Sequence, residues 1–302
     1  MRIAFFGTPD FAVASLKKIV EHSFEVVAVF TSPDKPSGRG QQMTMSEVKK
    51  YALEVNLPVY QPEKLKNPEF VSFYRSLNID LAIVVAFRMM PEVIWSAPKW
   101  GTFNLHGSLL PQYRGAAPIN WAIMNGEQET GVTTFFINSE IDTGEIILQA
   151  HCPILEQDNF GTLYDKLKQI GADLVVETIR IIQDGSIQTR KQEFSSSNLP
   201  APKIDKDILE IKDFDSCQSI SNKVRGLIPV YKPFFTHHDK KYIIKSGVYE
   251  ITSHSSPIGS IVTDNKTYIK LCCSDGYYAI EEIQAEGKKS MDIKSFLNGS
   301  AF

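Results

Sequence analysis

Residues 81–87 read Leu-Ala-Ile-Val-Val-Ala-Phe, a run with no polar side chain. It is short for a helix, and it lacks the polar alternation of a strand with one wet face. It fits a central parallel strand covered on both sides. Working back toward the N-terminus, Phe24–Thr31 (Phe-Glu-Val-Val-Ala-Val-Phe-Thr) reads the same way. Ile3–Phe6 is a third apolar run, closed by the turn residues Gly7-Thr8-Pro9-Asp10. Helical patterns lie between these runs. One follows Asp10 as N-cap and carries Phe11, Ala14, Leu16 and Ile19; others fall near Ser46–Val55 and Glu69–Leu77. This alternation predicts an α/β domain with an open, doubly wound, mostly parallel sheet. Such sheets bind ligands beyond the carboxyl ends of their strands. Residues just after Phe87 and around Thr102–Leu105 are therefore expected to line one crevice.

Asn159–Gln183 is a long amphipathic segment, stopped by Asp184-Gly185, that should close this domain. Residues 194–203 (Phe-Ser-Ser-Ser-Asn-Leu-Pro-Ala-Pro-Lys) have little to bury and read as a linker. The rhythm then changes. A helix is expected near Ser216–Arg225, followed by short strands at Tyr242–Ile244, Val248–Thr252, Ile258–Thr263, Tyr268–Leu271 and Tyr277–Ile283, as in a small β-barrel. The expected organisation is a first domain over 1–188, a linker over 189–205 and a second domain over 206–302.

The 302 residues are 43% hydrophobic and 22% charged, enough apolar material for two packed cores. The net charge of -3 excludes a purely non-specific nucleic-acid binder, so any RNA contact must come from local patches. Cys152, Cys217, Cys272 and Cys273 form no Cys-x-x-Cys pair, which argues against a disulfide framework and a zinc site. The N-terminal apolar run is too short for a secretion signal, and no stretch approaches the roughly 20 apolar residues of a membrane helix. These features point to a cytoplasmic protein, and nothing demands a state beyond a monomer.

The densest segment is Asn104–Ile119: Asn-Leu-His-Gly-Ser-Leu-Leu-Pro-Gln-Tyr-Arg-Gly-Ala-Ala-Pro-Ile. Asn104 and His106, two apart at a strand end, point to one face. Gly107, Pro111, Gly115 and Pro118 then force an irregular loop, the usual place for a site. Downstream, Asp142-Thr143-Gly144 follows the strand-like Val132–Ile137. His237-His238 would face opposite sides of a strand, which argues against a shared metal. Gly7-Thr8-Pro9 lacks the Gly-x-Gly-x-x-Gly pattern of a dinucleotide site, which counts against a nicotinamide oxidoreductase.

With these residues in view, the chain resembles the folate-dependent formyltransferases. The resemblance rests on Asn-x-His, Ser-Leu-Leu-Pro-x-Tyr-Arg-Gly, Glu-Thr-Gly-Val-Thr and Asp-Thr-Gly. It extends to Gly7–Phe11, Val84–Phe87, Ala201–Ile204, Val224-Arg225-Gly226, Asp275-Gly276 and Gly287-Lys288-Lys289. It implies a Rossmann-like first domain and an OB-like second one. It also implies a 10-formyltetrahydrofolate donor and no metal. The catalytic set it implies is Asn104, His106 and Asp142. Asn104 and His106 would supply donors to an oxyanion, and Asp142 would orient His106 and help relay a proton. Folate contacts are implied at Ser108, Leu109, Leu110 and Pro111, with the pterin near Phe87, Arg88 and Met89. In the branch of the family acting on initiator methionyl-tRNA, the loop matching Ser32–Lys50 meets the acceptor stem. Arg39 then matches its basic residue, and Lys35, Lys49 and Lys50 could meet phosphates. Gln41-Gln42 stands where the family has a basic pair, which weakens the loop's electrostatic contribution. Branches that formylate amino-sugar nucleotides or release formate share the Asn-His-Asp core and remain alternatives. A non-catalytic RNA-binding relative is a third, disfavoured by the intact Asn, His and Asp.

Overall fold

The computed structural model describes residues 1–37 and 42–299. The chain opens with β1 (Arg2–Gly7), α1 (Asp10–Glu21), β2 (Glu25–Phe30) and two short antiparallel strands, β3 (Lys35–Ser37) and β4 (Gln42–Thr44). There follow α2 (Glu47–Glu54), β5 (Val59–Tyr60), α3 (Pro68–Ser76), β6 (Leu81–Val85), α4 (Glu92–Trp95) and β7 (Thr102–His106). Next come α5 (Pro118–Met124), β8 (Glu129–Phe136), β9 (Ile146–Pro153) and α6 (Phe160–Gln183). The last part holds α7 (Cys217–Leu227), β10 (Phe234–His237), β11 (Lys240–Ile251), β12 (Ile261–Thr263), β13 (Ile269–Cys272), β14 (Gly276–Ala285), β15 (Met291–Asp292) and α8 (Ile293–Gly299). By internal contacts the chain forms two compact units. The first comprises Met1–Gly115, Thr130–Cys152 and Tyr164–Pro200; the second, Ala116–Glu129, Pro153–Leu163 and the chain from Ala201 on.

The first unit is built on a seven-stranded sheet of order β5-β2-β1-β6-β7-β8-β9. β5, β2, β1, β6 and β7 are parallel, and β8 returns antiparallel to β7. The strand order reverses at the β1/β6 pair, the switch point where such sheets open a crevice. All five residues of β6 are buried, as expected of a strand covered on both faces. One face is packed by aromatic rings: Phe6 stacks on Phe30 at 4.6 Å, and Tyr74 of α3 meets Phe30 at 5.5 Å. Pairs of this kind contribute about 0.5–1.5 kcal/mol each beyond their buried area. α6 covers the β7 face that carries Leu105, since a Cβ on Gly171 would stand 2.8 Å from the Leu105 side chain. Alternation along β7 leaves Asn104 and His106 on the opposite face.

Asp10 differs from its sequence reading. It is the first helical residue of α1 rather than its cap, and its carboxylate accepts hydrogen bonds from the Tyr164 hydroxyl (2.5 Å) and Lys168 Nζ (3.1 Å) of α6. It ties two helices together rather than ending one. The α2 boundary follows its sequence signal: Ser46 Oγ caps the helix by accepting from the Lys49 amide at 3.1 Å.

The second unit carries an antiparallel six-stranded sheet of order β10-β11-β14-β13-β12, with β15 added on β14. It curls over α7 and α8 around a core that includes Phe235, Tyr242, Tyr278, Ile283 and Phe296. Two of the expected strands, Tyr242–Ile244 and Val248–Thr252, are one strand here, β11. The polar break at Lys245-Ser246 is absorbed by a register shift against β14 at Ser246. The His237-His238 reading is also corrected. His238 and Asp239 take left-handed turn conformations, which swing the two imidazoles together at 4.0 Å between ring centres.

The motifs of this unit build its packing. Gly226 lets α7 approach α5, where a Cβ would stand 2.6 Å from Met124 and 2.9 Å from the Asn120 carbonyl oxygen. Arg225 donates to the carbonyl oxygen of Asp158 (2.6 Å), and Asn120 donates to that of Gly226 (2.7 Å). Asp275 takes over the capping of α7, accepting from the Cys217 amide (2.8 Å) and Ser216 Oγ (3.0 Å). The Cys217 amide holds the Asp275 carboxyl below its ordinary value. This stabilisation is therefore present above the ordinary carboxylate range and fades as pH falls through the lowered value. Asp275→Ala should cost about 1 kcal/mol, the usual loss of a cap, read as a Tm drop of roughly 2–4 °C. An unchanged Tm in thermal unfolding at neutral pH would show that the cap contributes nothing.

Candidate active site

Asn104 and His106 stand at the carboxyl end of β7, in register with Val84 on β6 and with Thr133 on β8, respectively. His106 is buried, and its Nε2 lies 2.8 Å from the Tyr113 carbonyl oxygen. A carbonyl can only accept, so Nε2 carries a hydrogen. In the neutral ring Nδ1 is then bare, and it faces Asp142 Oδ2 at 3.8 Å. That distance is too long for a hydrogen bond but close enough for strong attraction once the ring is protonated. The geometry thus fixes which nitrogen can take up and release a proton.

Asp142 lies in the turn between β8 and β9, in the left-handed region at φ +54°. Its Oδ2 accepts from the Gly115 amide at 3.0 Å. Gly144, two residues on, presses against β8: a Cβ there would stand 1.6 Å from the Phe136 carbonyl oxygen. Asn104 is half-buried, and its side-chain amide makes no hydrogen bond among the described residues. A half-buried amide of this kind can offer two donors to a ligand.

The loop after His106 is held by hydrogen bonds rather than by regular structure. Ser108 Oγ donates to the Gln112 carbonyl oxygen (2.6 Å), and Thr133 Oγ1 donates to that of Ser108 (2.6 Å). Gln149 Nε2 donates to the Leu110 carbonyl oxygen at 2.9 Å. Ser108 and Leu110 are buried, while Leu109 and Pro111 are half-buried. Of the four loop residues expected to meet folate, two therefore keep their side chains inside and can offer only backbone. The pterin-facing candidates follow β6. Phe87 packs edge-on against Phe6 at 5.5 Å, and Met89 is 75% exposed. Arg88 turns aside, donating to the backbone carbonyls of Pro62 and Glu63.

The four cationic candidates for RNA contact have separate surroundings. Arg39 lies outside the described residues. Lys35, on β3, is exposed. Lys49 is engaged internally, donating to Asp34 Oδ2 (2.6 Å) and Gln61 Oε1 (2.7 Å). Its ammonium holds the Asp34 carboxyl below the ordinary range. Lys50 is exposed and pairs with Glu47 at 2.6 Å. Among the described residues no group of three or more His, Cys, Asp or Glu could hold a metal ion.

Residues 1–179 match the model of the formyl transferase family, and residues 203–301 that of its C-terminal domain. The chain belongs to the formyl transferase family. Among curated relatives, the methionyl-tRNA formyltransferase of Parabacteroides distasonis is 49% identical, covering 99% of this chain and 95% of its own. The enzyme of the same name from Flavobacterium johnsoniae is 43% identical, over 100% and 97%. Among solved structures, WlaRD, a sugar 3N-formyl transferase, superposes with a TM-score of 0.67 at 22% identity, over 96% of this chain and 99% of that one. HypX from Aquifex aeolicus, in complex with tetrahydrofolic acid, gives 0.64 at 18%, over 98% and 46%. At these identities the structural likeness speaks for the formyl transferase fold alone.

Several groups at the candidate site carry no readable sequence signal: the Tyr113 carbonyl, the Gly115 amide, Thr133 and Gln192. The first two act through backbone atoms, which leave no side-chain signal. Gln192 falls inside the expected 189–205 linker, yet the chain there is anchored. Arg190 bridges to Ile146, and the Tyr113 amide donates to the Leu199 carbonyl oxygen at 2.7 Å.

Proposed function

We propose that the protein transfers the formyl group of 10-formyltetrahydrofolate to the amino group of initiator methionyl-tRNA, and that Asn104, His106 and Asp142 carry the chemistry. The substrate reading rests on one observation, the end-to-end match to methionyl-tRNA formyltransferases at 43–49% identity. The sugar-modifying relatives support it less, because they share the fold at only 22% identity.

The folate supplies the formyl group. Its fit is supported by the Asn104 amide, which has no partner among the described residues, by the backbone of 108–111 and by the apolar Phe87 and Met89 after β6. The methionyl nitrogen forms a bond to the formyl carbon, and the bond from that carbon to the folate nitrogen breaks. The Asn104 amide donates to the oxygen as it gains negative charge. His106 Nδ1 takes the proton released by the incoming amine and returns it to the departing nitrogen. While it holds that proton, the ring faces the Asp142 carboxylate, which stabilises the cation. Tyr113 keeps the ring oriented throughout.

In this reading the first domain holds folate, and the second domain together with the 32–50 segment holds the tRNA. The enzyme acts as a monomer in the cytoplasm. Of the candidate cations, Lys35 is the described residue best placed to meet a phosphate, since Lys49 is committed to Asp34 and Gln61. Lys35→Ala should raise KM for tRNA at unchanged kcat and reduce the salt dependence of KM by about one charge's worth. A KM and salt slope equal to wild type would remove Lys35 from the interface. The whole reading is tested by offering purified protein and 10-formyltetrahydrofolate three acceptors: charged initiator tRNA, an amino-sugar nucleotide and water. Turnover with the charged tRNA alone supports it. Turnover only with the sugar or water overturns it.

A further inference from the structure

Gln192 lies 50 residues beyond Asp142 in sequence, but its side-chain amide is fully engaged at the Asp142 turn. Its Nε2 donates to the carbonyl oxygens of Asp142 (3.0 Å) and Gly144 (2.7 Å). Its Oε1 accepts from both Nε (3.1 Å) and Nη2 (2.7 Å) of Arg114. The Arg114 guanidinium in turn lies 4.9 Å over the Phe194 ring. Burial lowers the Arg114 pKa, while the charges of Asp142 and Glu140 oppose that shift.

One amide therefore grips both edges of the site: the turn that presents the Asp142 carboxylate, and the loop that presents Tyr113 and Gly115. We infer that Gln192 is a positioning residue for formyl transfer, locking the Asp142 carboxylate and the His106 ring into one register. The inference rests on the reading of Asp142 and His106 as catalytic. The turn needs such a clamp. Asp142 sits in a left-handed conformation, and without Gln192 the Asp142 and Gly144 carbonyls lose a shared donor. The Asp142–His106 gap of 3.8 Å depends on the two segments keeping their places.

The test compares Gln192→Ala, Gln192→Glu, Asp142→Ala and the Gln192→Ala/Asp142→Ala double variant, reading kcat, KM for both substrates and Tm. Misplacing a reacting group by about 1 Å can cost roughly 10²-fold, so Gln192→Ala should lose about 10–10²-fold in kcat with KM nearly unchanged. Gln192→Glu keeps the acceptor for Arg114 but loses both donors to the turn, so it should fall as far. It also stands in if Gln192→Ala does not fold. The double variant should be no slower than Asp142→Ala, because Gln192 acts through Asp142. Wild-type kcat in both Gln192 variants, or losses that simply multiply in the double variant, would overturn the inference. Wild-type turnover in Asp142→Ala would instead overturn the catalytic reading beneath it.

Discussion

His106→Ala is expected to lower kcat for formyl transfer by roughly 10²–10⁴-fold, the range for loss of a positioned acid-base group, with KM for methionyl-tRNA changed little. The size follows from the site's economy: the described residues place one imidazole there, fixed by the Tyr113 carbonyl and backed by Asp142. The truncation also leaves the Tyr113 carbonyl without the Nε2 donor and opens space beside a buried wall, so Tm should be followed in parallel. His106→Gln can still donate to that carbonyl but cannot carry the proton. It should restore Tm without restoring kcat. Turnover within threefold of wild type in either variant would contradict the assigned role.

Gly144→Ala should be among the most destabilising single substitutions in the first unit. A Cβ at this position would stand 1.6 Å from the Phe136 carbonyl oxygen and 2.8 Å from its carbonyl carbon, both backbone atoms that cannot rotate away. Ordinary overpacking costs about 1–3 kcal/mol, and a clash with backbone belongs at or above the top of that range. About 3 kcal/mol corresponds to a Tm drop of roughly 6–12 °C for a domain of this size. Activity should fall too, because the Phe136 amide donates to the Glu145 carbonyl oxygen at 3.0 Å and this contact closes the turn that carries Asp142. Gly185→Ala is the control. Nothing lies within 4 Å of a Cβ there, so only the cost of its positive φ remains. Equal Tm losses for the two variants would show that the close approach at Gly144 contributes nothing.

The sheet was legible in the sequence because its central strands are buried on both faces. Leu81–Val85 and Val26–Phe30 carry that burial as uninterrupted apolar runs. Asn104, His106 and Asp142 stand out as candidates because each carries a polar side chain within a dense motif, and the fold brings His106 and Asp142 to within 3.8 Å of each other. Less could be read where backbone or distant partners decide. β10 is a short edge strand whose pairing with β11 is set by the turn at His238-Asp239, and positive φ at those two residues leaves little composition signal. Asp10 looks like a cap, but its partners Tyr164 and Lys168 lie more than 150 residues away. Gln192 sits beside serines and prolines that suggest a free linker, and two of its partners are carbonyl oxygens that any residue would provide. The Val-Arg-Gly and Asp-Gly motifs of the second unit were visible as motifs. Their use in α5–α7 packing and in capping α7 emerges only from coordinates.

A labelled formyl group traces the proposed transfer directly. The protein is incubated with 10-formyltetrahydrofolate carrying ¹³C in the formyl carbon and with charged initiator tRNA. The aminoacyl end is then released and its mass read. The label should appear on the methionine amine with wild type and be nearly absent there with His106→Ala. Label recovered as free formate with unmodified methionine, or full labelling in His106→Ala, would contradict the proposed function.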